Sequence, residues 1–138
     1  MLELIREFGQ SGAILLMGIV VGAAWMMAIV SPNVAYDRLE EDDADGHVRQ
    51  LLKSGSDTLA VLLIAAAAFA VLAGAIGAGI TAALAAFGFF TNRWTLSNID
   101  EADDNRPPSK RQRMLAASLT LIFSLVATIG LGLAFFGV

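Results

Sequence analysis

The acidic stretch EEDDADGH contains the side chains whose spacing comes nearest to that of a metal site. An EF-hand loop needs oxygen ligands at positions 1, 3 and 5, glycine at position 6 and a bidentate glutamate at position 12. Counted from Glu41, the sequence supplies Asp43, Asp45 and Gly46, but position 12 is Leu52, which has no ligand atom. We therefore expect a solvated acidic segment and predict no metal site.

Other reactive side chains are few. The chain has no cysteine and a single histidine, His47, which excludes thiolate chemistry and sites that need several histidines. Met17, Met26, Met27 and Met114 could bind Cu(I) as soft ligands, but methionine is an ordinary filler of apolar cores. No serine–histidine pair or phosphate-binding glycine loop occurs. The sequence predicts no catalytic residue, no cofactor and no enzymatic activity.

Hydroxyl side chains recur along the last apolar segment. Thr120, Ser124 and Thr128 are four residues apart, which places them on one side of a helix. Such a stripe could line a polar path for ions or small solutes. In membrane helices, however, hydroxyls more often bond to their own backbone or to a neighbouring helix. We expect packing and keep the polar path as the alternative.

Long apolar segments carry these residues. Hydrophobic residues make up 57% of the 138 positions, and they form unbroken runs of the kind found in bilayer-spanning helices. We predict an all-α fold, an integral membrane four-helix bundle that forms a single transmembrane domain over residues 1–138. Its spans are predicted at about 11–30, 57–73, 77–93 and 114–136, with polar loops at 31–56 and 94–113.

Two boundaries of the spans depend on proline and glycine. Pro32 is predicted to end the first span, and a short helix is expected around residues 46–53, on the membrane surface or as an extension of the second span. No charge occurs from Thr58 to Thr91, and a single helix of that length would reach about 50 Å, well beyond the bilayer core. We predict a tight hairpin near residues 73–79, where glycine permits left-handed backbone. One long, tilted or kinked helix is the alternative.

The basic residues predict the orientation. With four spans, both charged loops lie on one side and carry every basic residue except Arg6. The positive-inside rule then makes these loops cytoplasmic and places both termini outside. The N-terminal sequence MLELIREFGQ lacks a basic leader region, so we expect the first span to be retained. The acidic, alanine-rich composition suggests the cell membrane of a prokaryote.

Small residues are spaced for close packing of helices. Gly18 and Gly22 form a GxxxG pattern in the first span, and Gly77, Thr81 and Ala85 repeat the spacing in the third. We expect these residues to pack within one bundle. For Gly18 and Gly22, the alternative is contact with another subunit.

The stretch SPNVAYDRLEEDDADGHVRQLLKSGSD resembles the first-loop signature of small four-span membrane proteins of unknown function related to transmembrane protein 205. Pro32 and residues 36–39, 44–46 and 48–52 carry the resemblance. The segment NRWTLSNID is similar to the polar segment after the third span of that family. The resemblance implies four spans. Where the family often has a histidine, this chain has Ala116, which argues against any function that depends on that histidine.

Charge inside a membrane span usually marks an ion or proton pathway, and the spans predicted here carry charge only at their ends, at Asp57 and Arg93. We therefore predict a non-enzymatic membrane protein that acts by association, as an accessory subunit or a homo-oligomer. Its partners are the lipid bilayer and other membrane subunits or copies of itself, and not nucleic acid. A small channel or transporter is the alternative. A soluble partner would meet the charged loops, through Glu41, Asp43, Asp45, Arg49, Lys53 and Arg111.

Overall fold

A computed structural model describes the backbone of residues 1–102 and 110–138, and the side chains of residues 1–94 and 114–138. Every regular element in this part of the chain is a helix, which confirms the predicted all-α class. The elements are α1 (Leu2–Trp25), a π-helical turn (Met26–Val30), α2 (Ser31–Arg38), α3 (Glu41–Ala73), α4 (Ile76–Ala102) and α5 (Lys110–Phe135).

The first helix does not end at Pro32. α1, the π-helical turn and α2 follow one another without interruption, so that one helix runs over Leu2–Arg38. Proline lacks the N–H that bonds to the carbonyl four residues earlier, and its ring crowds that carbonyl. The wider turn at Met26–Val30 lies directly before Pro32 and accommodates the missing bond. The prediction that Pro32 ends the helix was wrong, because a local change of helix type absorbs the proline.

The segment predicted as the first polar loop, residues 31–56, is almost entirely helical. Only Leu39 and Glu40 are extended, between α2 and α3. α3 then begins with three acidic residues in its first turn, where the positive end of the helix dipole favours negative charge. The short helix expected at 46–53 is therefore the first part of α3, continuous with the segment predicted as the second span.

A tight turn joins α3 to α4. Gly74 has φ 77°, a left-handed conformation that costs glycine little. Its N–H donates to Val71 O and the N–H of Ala75 donates to Ala70 O, both at 2.9 Å. This pair of bonds is the Schellman motif, and it satisfies carbonyl groups at the end of α3 that would otherwise lack partners.

The four long helices pack side by side. α1 contacts α3 and α5, and α4 contacts the same two helices from the other side. The contact surfaces are rich in alanine, and several of these alanines are completely buried: Ala13, Ala24, Ala60, Ala66, Ala70, Ala78, Ala82, Ala85 and Ala127. Small side chains let helix backbones approach closely and gain dispersion contacts. In lipid these contacts are important, because the hydrophobic effect does not drive helices together there.

The turn at Gly74 lies at one end of the helices, called here the hairpin end, and polar bonds close that end. Gln10 on α1 donates to Ala134 O at 3.0 Å and to Phe135 O at 3.1 Å, at the end of α5. The N–H of Ala78, in the first turn of α4, donates to Val138 O at 3.0 Å. Groups that helix ends leave without intrahelical partners are thus satisfied between helices.

Among the residues that the structure describes, three helices are long and apolar enough to cross a membrane: Leu2–Arg38, Glu41–Ala73 and Met114–Phe135. The apolar part of α4 is shorter, because Asn92 and Arg93 follow Thr91. Large hydrophobic side chains such as Leu15 and Leu125 are exposed on the outside of the helices, as expected for a surface that faces lipid.

Candidate functional site

The polar residues of interest lie at the end of the helices opposite the hairpin, called here the loop-side end. Arg93 on α4 and Asp57 on α3 form an ion pair, with 3.1 Å between Nε and Oδ1. The side chains are 48% and 38% exposed, so water or lipid headgroups reach them. The pair connects the start of the apolar part of α3 to the end of the apolar part of α4.

A second polar contact connects α4 to α5 at the same end. Asn92 donates a hydrogen bond from Nδ2 to Thr120 Oγ1 at 3.1 Å, and both side chains are completely buried. Thr120 in turn donates to Ala116 O, one turn earlier on its own helix, at 2.9 Å. This chain of bonds orients the amide of Asn92, because Nδ2 faces Thr120 and Oδ1 faces away from it.

Three buried oxygen atoms near these contacts have no hydrogen-bond partner within the described part of the chain. They are Ser56 Oγ, Asn92 Oδ1 and Ser124 Oγ, on side chains with at most 2% exposure. Asp57 Oδ1 likewise has no hydrogen bond, and its contact with Arg93 is that of an ion pair. Each buried polar atom without a partner costs about 1–3 kcal/mol. We call this group the polar cluster; it consists of Ser56, Asp57, Asn92, Arg93, Thr120 and Ser124.

The hydroxyls predicted to form one stripe on α5 do not share an environment. Thr120 and Ser124 are buried, whereas Thr128 is exposed and donates to Ser124 O at 2.8 Å. A step of four residues advances about 400° around an α-helix, so two steps rotate a side chain by about 80° from the first. That rotation moves Thr128 off the buried face, and the three hydroxyls do not line a continuous path.

Apolar side chains fill the interior beyond the polar cluster. Met17, Leu59, Leu63 and Phe89 belong to the largest completely buried side chains. The ring of Phe89 also packs against that of Phe123, with 6.1 Å between centroids. The interior toward the hairpin end is therefore largely apolar, and Ser124, about one turn beyond Thr120, is the member of the polar cluster that lies deepest in it.

The small residues predicted for helix packing fall into two groups. On α4, Ala85 is completely buried, and a Cβ on Gly77 would lie 3.1 Å from Val138 O. Thr81 faces α5, because its Oγ1 would lie 2.6 Å from a Cβ on Gly130. These residues pack within the chain. The hydroxyl of Thr81 donates to the carbonyls of Gly77 and Ala78 on its own helix.

Gly18 and Gly22 do not pack against any other described part of the chain. Both are exposed on α1, and a Cβ added to either would meet no atom within 4 Å. The buried face of α1 is formed instead by Ala13, Met17 and Val20. Gly18 follows Met17 and is therefore turned about 100° away from that face. The expectation of intrachain packing was wrong for this pair, because helix rotation directs it outward.

Of the residues predicted as a partner surface, some are exposed and others are engaged in contacts within the chain. Glu41 and Asp43 are exposed in the first turn of α3. Asp45 is only 7% exposed and accepts a hydrogen bond from Tyr36 OH, which ties α2 to α3. Arg49 and Lys53 are half-buried and engaged in contacts of their own. Arg111 lies outside the residues whose side chains are described.

The helical conformation of α3 also decides the shape of the acidic stretch. Glu41, Asp43 and Asp45 lie on one continuous helix that includes Leu52. Successive side chains of an α-helix point about 100° apart, so the three carboxylates do not converge as they do in a calcium loop. Within the described residues, no group of three histidine or carboxylate side chains is placed to hold a metal ion.

Sequence reasoning missed the polar cluster as a unit. The sequence pattern places Asp57 and Arg93 at the ends of spans but does not pair them, and it assigns no role to Ser56 or Asn92. A signal was present: consecutive antiparallel spans bring the start of one and the end of the next to the same membrane level. Polar residues at those two positions are therefore candidates for contact.

No family model, curated protein or solved structure matches this chain. The arrangement of the described residues is therefore the basis for a functional assignment. Chemically, the polar cluster offers hydroxyl and amide groups that donate and accept hydrogen bonds, beside one neutralised ion pair. The outer surface offers a glycine pair that none of the described residues covers.

Proposed function

We propose that this chain is a non-enzymatic, multi-pass protein of the cell membrane that acts by association with other membrane subunits or with copies of itself. The observation that carries the proposal is the uncovered Gly18–Gly22 pair on α1. A GxxxG pair in a membrane helix lets a second helix approach closely enough for backbone contacts. Within the described residues no helix packs against this pair, whereas Gly77, Thr81 and Ala85 pack against other parts of the chain.

An apolar groove between α3 and α4 supports the same proposal. It measures about 590 Å³ and is lined by small and aliphatic side chains, among them Ala67, Val71, Gly79 and Ile80. The groove opens outward near the hairpin end, where a partner helix or lipid chains would fill it. Together with α1, it gives the protein two outward features shaped for neighbours in the bilayer.

We further propose four spans, formed by α1, α3, α4 and α5, with the loop-side end in the cytoplasm. The ion pair and the basic residues Arg38, Arg49 and Lys53 support this orientation, since they cluster at that end while Arg6 lies beside Gly74 at the other. The resemblance to the family related to transmembrane protein 205 agrees with four spans. A transporting path through the interior has less support, because Thr128 is exposed and apolar side chains fill the centre.

Variants of the glycine pair test the association. We expect the unmodified protein, purified in mild detergent or nanodiscs, to have a mass above that of one chain, as measured by light scattering. The double variant Gly18→Val, Gly22→Val should reduce that mass, because the branched side chains keep a second helix away. Gly132→Val is the matched control, since a Cβ there also meets nothing within 4 Å.

The natural absence of cysteine allows a direct check of the surface. Single variants Leu15→Cys and Ile19→Cys, on the exposed side of α1, should form disulfide-linked dimers or cross-link to a copurified subunit. Leu125→Cys on α5 serves as the comparison. A mass of one chain with no copurified subunit, together with equal cross-linking at all three positions, would refute association through α1.

A further inference from the structure

The apolar groove between α3 and α4 has a floor of small residues and walls of large ones. Its volume is about 590 Å³, and only glycine and aliphatic side chains line it. At the floor, a Cβ added to Gly79 would lie 3.4 Å from Val71 Cγ2 and 3.6 Å from Ala67 O. Leu72 and Ile76, beside the hairpin turn, belong to the exposed walls. The groove is therefore narrow and offers no polar side chain to a ligand.

The level of the groove in the bilayer follows from the length of α3. Asp57, in the half-exposed ion pair, marks one boundary of the bilayer. Gly74, in the hairpin turn, lies about 25 Å further along the helix. A hydrocarbon core is about 30 Å thick, so the turn lies near the opposite boundary. From there the groove extends over residues 76–83 of α4, about 10 Å toward the bilayer centre.

A basic side chain lies at the hairpin end of the groove. Nη2 of Arg6 would be 3.7 Å from a Cβ on Gly74. Gly74 lies between Leu72 and Ile76, two residues from each. Because consecutive Cα atoms are about 3.8 Å apart, the guanidinium is within about 13 Å of the Cα atoms of both. Arg6 is exposed and has no hydrogen bond or ion pair within the described residues, so its side chain is available to a ligand.

The carboxylates near Arg6 lie on a different side of α1 from the groove. Gly9 faces α3, whereas Gln10 faces α5, to whose last carbonyls it donates. Glu3, seven residues before Gln10, points within about 20° of it, and Glu7 is turned about 160° from Gly9. Both glutamates are therefore directed away from α3, and an anion can approach Arg6 from the α3 side.

The length of the groove favours a lipid chain over a partner helix. Over about 10 Å it would meet only about two turns of a helix, whereas stable protein interfaces bury about 1,200–2,000 Å². The exposed side chains of Val71, Ile76 and Ile80 also keep the backbone of a second helix away from the floor. A hydrocarbon chain is much thinner than a helix and requires no polar partner.

We propose that the groove binds one glycerophospholipid, with a chain along Gly79 between α3 and α4 and the phosphate at Arg6. A guanidinium donates hydrogen bonds to phosphate oxygens, and their opposite charges attract each other. The chain gains dispersion contacts with the walls and the floor. The combination of a basic group and a groove distinguishes this site from general contact with lipid. The site is independent of the association proposed for the Gly18–Gly22 pair.

Native mass spectrometry of the chain in mild detergent, titrated with phosphatidylglycerol, tests the site. We expect one lipid per chain to bind before any others. The double variant Ala68→Leu, Ala83→Leu fills the groove from two exposed positions. It should raise the half-saturating lipid concentration about tenfold or more, because the chain loses its contacts. Gly132→Leu is the matched control and should change nothing, since a Cβ there meets no atom within 4 Å.

Variants of Arg6 test the position of the headgroup. Arg6→Gln should raise the half-saturating concentration about fivefold, which is the contribution of one basic residue at an anionic lipid surface. Arg6→Lys should retain most of the binding. Arg38→Gln removes the same charge from an exposed position at the loop-side end and should have no effect. Binding by Arg6→Gln equal to that of the unmodified protein would refute the assignment of the phosphate to Arg6.

Other outcomes identify a different occupant of the groove. An unchanged half-saturating concentration in the groove variant would overturn the site. A lower oligomer mass of that variant in light scattering, with lipid binding unchanged, would assign the groove to a partner helix and would also overturn it. Retention of the lipid by a protein with the mass of one chain would contradict the association through α1 and leave the lipid site standing.

A photoreactive phospholipid tests the unmodified protein, so that the result does not depend on the folding of a variant. A diazirine in the half of the chain nearer the headgroup should label residues 67–72 and 76–83 several-fold more than residues 129–135. That part of α5 lies at the same depth, as the approaches of Gly77 to Leu133 and of Gly130 to Thr81 show. Equal labelling of the two surfaces would overturn the proposal.

Discussion

Gly9 marks a close approach between α1 and α3, and adding a single methyl group there should weaken the fold. A Cβ on Gly9 would lie 2.8 Å from both Ala73 N and Phe69 O. Ordinary contacts of a Cβ begin at 3.4 Å, so each distance is too short by several tenths of an ångström. Both obstructing atoms belong to the backbone of α3, which cannot rotate away as a side chain could.

The magnitude follows from two opposing effects. Forcing an extra methyl group into a well-packed contact costs typically about 1–3 kcal/mol, because the helices must separate. Alanine gains about 0.5–1 kcal/mol over glycine within a helix. The net loss expected for Gly9→Ala is about 1–2 kcal/mol, which lowers the ratio of folded to unfolded protein by about 5- to 30-fold.

The assay is reversible unfolding in mixed micelles with a rising fraction of dodecyl sulfate, followed by circular dichroism. Gly132→Ala is the matched control, since its Cβ would meet no atom within 4 Å. We expect Gly9→Ala to lower the transition midpoint and Gly132→Ala to leave it unchanged or to raise it. Equal midpoints for the two variants would refute the close approach of α1 and α3.

Two further variants test other parts of the fold in the same assay. Thr120→Val should lower the free energy of unfolding by about 1–3 kcal/mol, because Asn92 Nδ2 loses its buried acceptor. The double variant with Asn92→Leu should lower it by less than the sum of the two single changes. Strict additivity of the two changes would contradict the hydrogen bond. Gly74→Ala should lower the free energy of unfolding by about 1–2 kcal/mol, because φ 77° is unfavourable for a residue with a Cβ. Gly46→Ala, inside α3 and free of neighbours within 4 Å, is its control and should show no loss.

Part of the polar cluster could be predicted from the sequence. The spacing of Thr120 and Ser124 places them on one side of α5, and both are buried there. Their partner Asn92 could not be identified from spacing, because it lies on another helix, and the rotation of α4 decides which of its residues face inward. The same limit applies to Thr128, whose exposure depends on where the boundary of the buried face falls on α5.

The sequence by itself determined the class of the protein. A helix satisfies the backbone polar groups of a long apolar segment within that segment, as lipid requires, and the described residues are helical accordingly. The tertiary structure alone decided which surfaces those helices present. Periodicity is weak when nearly every residue of a span is apolar, so the outward direction of Gly18 and Gly22 follows from contacts made by Met17 and its neighbours. The first helix continues through Pro32 for a similar reason. The tertiary contacts of a whole helix outweigh the low helix propensity of a single residue.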